Sequence, residues 1–129
     1  MRVTVDAVYE ADGESTVAFS SVFGSAAGVW RGDVEAVAGA DYEVEFDLDE
    51  PISWGESARP GERPLCAIDV TASGARFAGL LESLDDDGYA VMRMEQYIVP
   101  FIAEGIPDAA VGGYVIVESC RLEIYPWLG

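Results

Sequence analysis

Between residues 41 and 49 the chain reads Asp41-Tyr42-Glu43-Val44-Glu45-Phe46-Asp47-Leu48-Asp49, an unbroken alternation of acidic with apolar residues. Successive side chains of a strand point to opposite sides, so this order puts Tyr42, Val44, Phe46 and Leu48 on one face and all five acids on the other. A helix would scatter the same residues around its whole circumference. The segment is therefore a half-buried strand. The rest of the chain must supply a core for one of its faces and leave the other to water or to a partner.

The remaining sequence repeats the same grammar in shorter phrases. Val3, Val5 and Ala7 alternate with Thr4 and Asp6, which predicts a strand over residues 2–10 closed by the turn Asp12-Gly13-Glu14. Residues 16–23 form a second β-rich run. Gly24-Ser25-Ala26-Ala27-Gly28 reads as a flexible connection and residues 29–37 as a strand with a bulge at Gly32. Residues 52–64, with Pro60, Pro64, Gly55 and Gly61, read as a long loop. Strands are expected at 65–72, 76–84 and 89–95, joined by turns at Ala72-Ser73-Gly74-Ala75 and Asp85-Asp86-Asp87-Gly88; Asp-Gly supplies a positive φ at little cost. Residues 112–125 look like the longest strand. The only helix-like stretch, 97–103, is interrupted by Pro100.

About seven short strands separated by turn signals imply an all-β protein, either a small antiparallel barrel, OB-like or related, or a β-sandwich. Glycines inside strand runs (Gly32, Gly79, Gly112, Gly113) favour the bending of a barrel. A chain of 129 residues suffices for a single domain, residues 1–129, with one ordinary core. The amino-terminal residues lack the apolar core of a secretory signal, so a cytoplasmic location is expected. Cys66 and Cys120 lie in apolar runs, where a reduced cysteine acts as a small buried hydrophobe. They could pair only if their strands are neighbours.

Charge narrows the partners. The chain carries 24 acidic and 7 basic residues, a formal net charge of −17. Nucleic acids and anionic membranes are disfavoured, because both are held mainly through Arg and Lys. Half the residues are hydrophobic, which separates the protein from disordered acidic tails. Every basic residue is an arginine; lysine and asparagine are both missing, a bias that a GC-rich genome or a halophilic source would produce.

Missing residue types also remove whole chemistries. There is no histidine, which rules out Ser-His-Asp and Cys-His nucleophile activation and imidazole-based zinc or copper sites. Without lysine there is no Schiff base and no P-loop lysine. No cofactor and no metal are expected. Carboxylates remain: Glu45, Asp47 and Asp49 are spaced at about 6.8 Å along one strand face, within the range used by inverting glycosidases. A solvated strand face explains the same acids more simply. Asp85-Asp86-Asp87 lacks the ligand order of a calcium loop and reads as a turn. An enzyme is therefore not expected.

Two candidate sites remain. Five like charges along one strand face repel one another unless neighbouring cations offset them, so Asp41, Glu43, Glu45, Asp47 and Asp49 are the candidate surface for a basic protein partner. In the long loop, Trp54, Arg59 and Arg63 form a candidate mouth for an anionic small molecule. Trp54 could equally be a lid over one barrel end; Trp30 and Trp127 read as core or barrel-end residues, and Met92 and Met94 as ordinary packing.

Residues 41–55 (DYEVEFDLDEPISWG), Gly79-Leu80-Leu81-Glu82, residues 89–95 and residues 112–126 together resemble small acidic uncharacterised bacterial β-barrel proteins, some of which are similar to immunity proteins of polymorphic toxin systems. The resemblance spans residues 41–126. It implies a non-enzymatic inhibitor whose acidic face caps a basic toxin, commonly a nuclease.

Overall fold

A computed structural model describes residues 1–72 and 74–127. Among the described residues twelve strands run β1 (Arg2–Ala11), β2 (Glu14–Ser21), β3 (Gly24–Trp30), β4 (Asp41–Leu48), β5 (Ile52–Ser53), β6 (Ala58–Pro60), β7 (Ala67–Val70), β8 (Ala75–Leu84), β9 (Tyr89–Met94), β10 (Tyr97–Glu104), β11 (Tyr114–Ser119) and β12 (Leu122–Pro126). One short 3₁₀ turn, Asp108–Ala110, precedes β11. No described helix is long and apolar enough to cross a membrane.

The strand order β12-β4-β1-β2-β3 closes on itself because β12 also pairs with β3, giving a five-stranded barrel. That closing contact is parallel, pairing Glu123 with Val29 and Ile124 with Trp30. It needs Gly28: a Cβ there would stand 2.9 Å from the Leu122 carbonyl oxygen, too close for any side chain. From the other end of β3 the sheet continues through Gly24, opposite Ile68, into β7, β8, β9, β10 and β5. β11 pairs the free edge of β8, and β6 pairs β11.

One core joins both parts. Phe46 of β4 lies between Phe19 of β2 and Phe77 of β8, with ring centroids 5.4 and 5.6 Å away. Val5, Val17, Phe19, Ile68, Phe77, Leu81, Met92, Met94 and Ile124 are fully buried around them. The alternation that predicted β4 is reproduced in its burial: Val44, Phe46 and Leu48 point inward, and the five acids outward.

The all-β barrel reading holds, with corrections. There are more strands than the expected seven, and the barrel is not wholly antiparallel. Residues 24–28 are not a flexible connection; they form most of β3, where small side chains let β12 and β7 approach. Residues 31–40 are irregular instead of a strand, held by the Trp30 indole donating to the Val34 carbonyl at 2.7 Å and by the Val37 amide donating to the Tyr42 hydroxyl at 2.9 Å. The 52–64 loop contains β5 and β6, the latter anchored to β11. Residues 112–125 break at Cys120-Arg121, so that β11 joins the second part of the sheet while β12 closes the barrel. The turn expected at 72–75 includes Ser73, outside the described residues; Thr71 and Gly74 close around it through the Thr71 amide donating to the Gly74 carbonyl.

The cysteines are free, and Cys120 is no buried hydrophobe: it is exposed, with its thiol donating to the Glu50 carboxylate at 2.9 Å. That hydrogen bond, with burial and the carboxylate charge, pushes the thiol pKa up. Trp127, read as a core or barrel-end residue, is 60% exposed, which overturns the core alternative.

Candidate interaction site on the acidic strand

β4 is a barrel strand with an unequal surroundings along its length. Its first three residues, Asp41 to Glu43, pair with Thr4 to Arg2 of β1, and the Val44 amide reaches the Met1 carbonyl. From Val44 to Leu48 its other edge pairs with β12. Past Val44, β1 pairs no further β4 residue, and β10 runs alongside instead.

These neighbours decide which acids are paired. Asp41 accepts from the Thr4 hydroxyl at 2.6 Å and from Arg2 at 3.2 Å, which together hold its carboxyl below the ordinary range. Glu43 stands 3.7 Å from the Met1 ammonium and 3.9 Å from Arg2. Among the described residues Glu45 makes no ion pair and accepts one neutral donor, the Trp127 indole N–H at 2.9 Å. Asp47 makes no ion pair or hydrogen bond among the described residues, and partial burial, then the Asp49 and Glu123 carboxylates, push its pKa up. Asp49 is bound by Arg121 at 3.1 Å.

Behind Asp47 lies a network that the sequence reading missed. Glu123, on β12 opposite Asp47, has a nearly buried side chain (6% exposed) gripped by Arg31, whose Nε donates at 2.8 Å. Arg31 and Arg121 also share Glu14, at 3.3 and 3.1 Å. The clue in the sequence was an acid at a position flanked by Leu122 and Ile124, but nothing in it named the partner. Carboxylate oxygens of Asp47, Asp49 and Glu123 come within 4.8 Å of one another, a spacing a hard cation could bridge. The two guanidiniums already offset Glu123 and Asp49, leaving Asp47 as the uncompensated member.

A groove of about 330 Å³ opens where β10 passes β4, lined by Glu45, Phe46 and Asp47, by Tyr89 of β9, by Pro100, Phe101 and Ile102 of β10, and by Tyr125 of β12. Phe46 and Phe101 are buried at its floor, while Tyr89, Ile102 and Tyr125 are each at least 40% exposed at its rim. No arginine lines it.

The three loop residues do not form one mouth. Trp54 is half-buried against the core, its amide donating to the Glu104 carbonyl. Arg59, on β6, is tied to Glu118 of β11 at 2.9 Å. Arg63 lines a separate cleft of about 190 Å³ with Glu62, Leu65, Tyr114 and Ile116; neither Trp54 nor Arg59 lines it. Among the described residues Arg63 is the arginine without an ion pair.

No family model, characterised protein or solved structure matches the chain.

Proposed function

We propose that the protein is a non-enzymatic acidic binding module that meets a basic protein through the outer face of β4. The observation that carries this reading is the exposure of Asp41, Glu43, Glu45, Asp47 and Asp49 on one face, with no ion pair at Glu45 or Asp47 among the described residues and only the longer-range attraction of the Met1 ammonium for Glu45. A protein with seven arginines and a charge of −17 gains association rate from a basic partner by electrostatic steering. The aromatic rim residues Tyr125 and Trp127 supply desolvated contact area beside the charges. The narrower form, inhibition of a basic toxin by an immunity protein, draws on the resemblance of residues 41–126.

The test is retention of a basic protein from the host lysate by the immobilised native chain, run beside the triple variant Glu43→Gln, Glu45→Gln, Asp47→Asn. Retention that weakens with salt and disappears in the triple variant is expected. Equal retention by both chains would sink the reading.

A second reading, an anionic small-molecule site, is favoured only by the unpaired Arg63 in its cleft. It no longer includes Trp54 or Arg59, and Glu62 on the same cleft wall opposes an anion.

A further inference from the structure

We propose that the groove between β4 and β10 is the anchor point of the basic partner, and that it receives an arginine side chain. This rests on the acidic-module reading and names where, and by which chemistry, the partner is held.

The groove has two kinds of wall. One rim carries Glu45 and Asp47; the other carries Ile102, Pro100 and Tyr89, with Tyr125 at the acidic side and Phe46 and Phe101 beneath. An aliphatic stem with a cationic head fits such a division, because it can cover apolar surface while its charge reaches the carboxylates. A purely apolar side chain would bury next to Asp47 and deepen the desolvation that already raises that acid's pKa. An anion would meet both acids.

The choice of arginine over lysine follows from the rings. Tyr89 and Tyr125, 47% and 40% exposed, place two aromatic rings at the rim, Tyr125 with its hydroxyl on Glu123, and a planar guanidinium stacks on such rings, is less strongly hydrated than an ammonium and can bind a carboxylate through two parallel N–H donors. Asp47 is the acid free to accept them, since its neighbours Glu123 and Asp49 are held by Arg31 and Arg121. Inside the protein the same solution appears at Glu82, which takes two donors from Arg93 at 2.6 and 3.0 Å. The groove volume of about 330 Å³ lies at the lower limit of small-molecule sites, roughly 300–1,000 Å³, which suits a side chain better than a cofactor.

The groove is also where exposed apolar area gathers on the acidic side of the molecule. Ile98, 52% exposed, extends the β10 rim, and Trp127 extends the β4 side through its bond to Glu45. A partner segment laid across this rim would surround the arginine and exclude water from its contact with Asp47.

The experiment is an amide-resolved NMR titration of the whole chain at low salt with a tri-arginine peptide and, separately, a tri-lysine peptide. Shifts are expected to concentrate at Glu45–Asp47, Tyr89, Phe101, Ile102 and Tyr125, with the arginine peptide binding more tightly. Asp47→Asn and Ile102→Ala change outward-facing side chains, so the spectrum reports directly that each variant is folded. Each should weaken the arginine peptide by about threefold to tenfold, the loss of one contact worth roughly 0.7–1.4 kcal/mol. Glu62→Gln, in the separate cleft that Arg63 lines, should leave it unchanged. Binding that is spread over all acidic surfaces and indifferent to Asp47→Asn and Ile102→Ala overturns the groove while leaving the acidic module standing. Lysine binding at this groove as tightly as arginine overturns the assignment of the side chain. Failure of both peptides to bind at low salt removes both the groove and the module.

Discussion

At the Asp41 end of β4 each acid has a cation or a hydroxyl beside it, whereas in the middle of the same face Glu45 and Asp47 look onto tyrosines and an isoleucine. Residue type is the same in both places. What differs is the strand that lies alongside: β1 brings Arg2, Thr4 and the Met1 ammonium to the first half, while β10 brings Pro100 and Ile102 to the second. A run of like charges is thus divided by its cross-strand neighbours into a part closed upon itself and a part still open to a partner.

Replacing the shared floor should break this contrast most severely. Phe46→Ala removes the ring that joins Phe19 to Phe77 and underlies the groove, and is expected to cost about 3–5 kcal/mol, read as a lowered denaturant midpoint. A loss below 1 kcal/mol would mean that the barrel and the second part of the sheet do not share one core.

Removing Arg31 tests the hidden support behind the open half. Arg31→Ala leaves the nearly buried Glu123 carboxylate with one cation, Arg121 at 3.7 Å, and the Tyr125 hydroxyl at 3.3 Å, so the midpoint should fall. Arg2→Ala, whose partners at the closed half are exposed, should fall much less and lose its effect at high salt. Equal losses in the two variants would erase the distinction between the halves.

The smallest effect has the opposite sign. Partial burial and then Asp49 and Glu123 raise the Asp47 pKa above its ordinary 3.8, so its ionised form opposes folding. Stability from this group rises as pH falls through the raised value and is fully gained below the ordinary one. Asp41 works in reverse: the Thr4 hydroxyl and then Arg2 lower its pKa, and its contribution, present above 3.8, is lost as pH falls through the lower folded value. Asp47→Asn should therefore stabilise the protein at neutral pH by less than about 1 kcal/mol and abolish the gain on mild acidification, while the loss at lower pH stays. Denaturation midpoints across that range check both; a destabilised Asp47→Asn would show that Asp47 has an unrecognised partner.

Much of the fold was legible because strand burial follows a two-residue period that a sequence displays openly. β4, the β1–β2 hairpin at Asp12-Gly13 and the Asp85–Gly88 turn needed nothing more. The misreadings share a cause. Gly24 to Gly28 carries the small residues of a linker, yet it is the strand against which both β12 and β7 close, and close approach between backbones selects the same residues as flexibility does. Likewise the run from Gly112 to Tyr125 reads as one β-rich stretch around the apolar Tyr114–Val117, and only its division between two parts of the sheet shows that Cys120-Arg121 is a break.

For the site, local order determined which acids share a face, because alternation is a property of neighbours along the chain. Which of them are paired was decided by residues far away: Arg2 for Asp41, Arg121 for Asp49, and none among the described residues for Asp47. The separation of Arg59 from Arg63 has the same origin, since Glu118 captures one and leaves the other. Electrostatic compensation and groove walls depend on distance in space, and in a barrel that distance is set by strand pairing between segments separated by most of the chain.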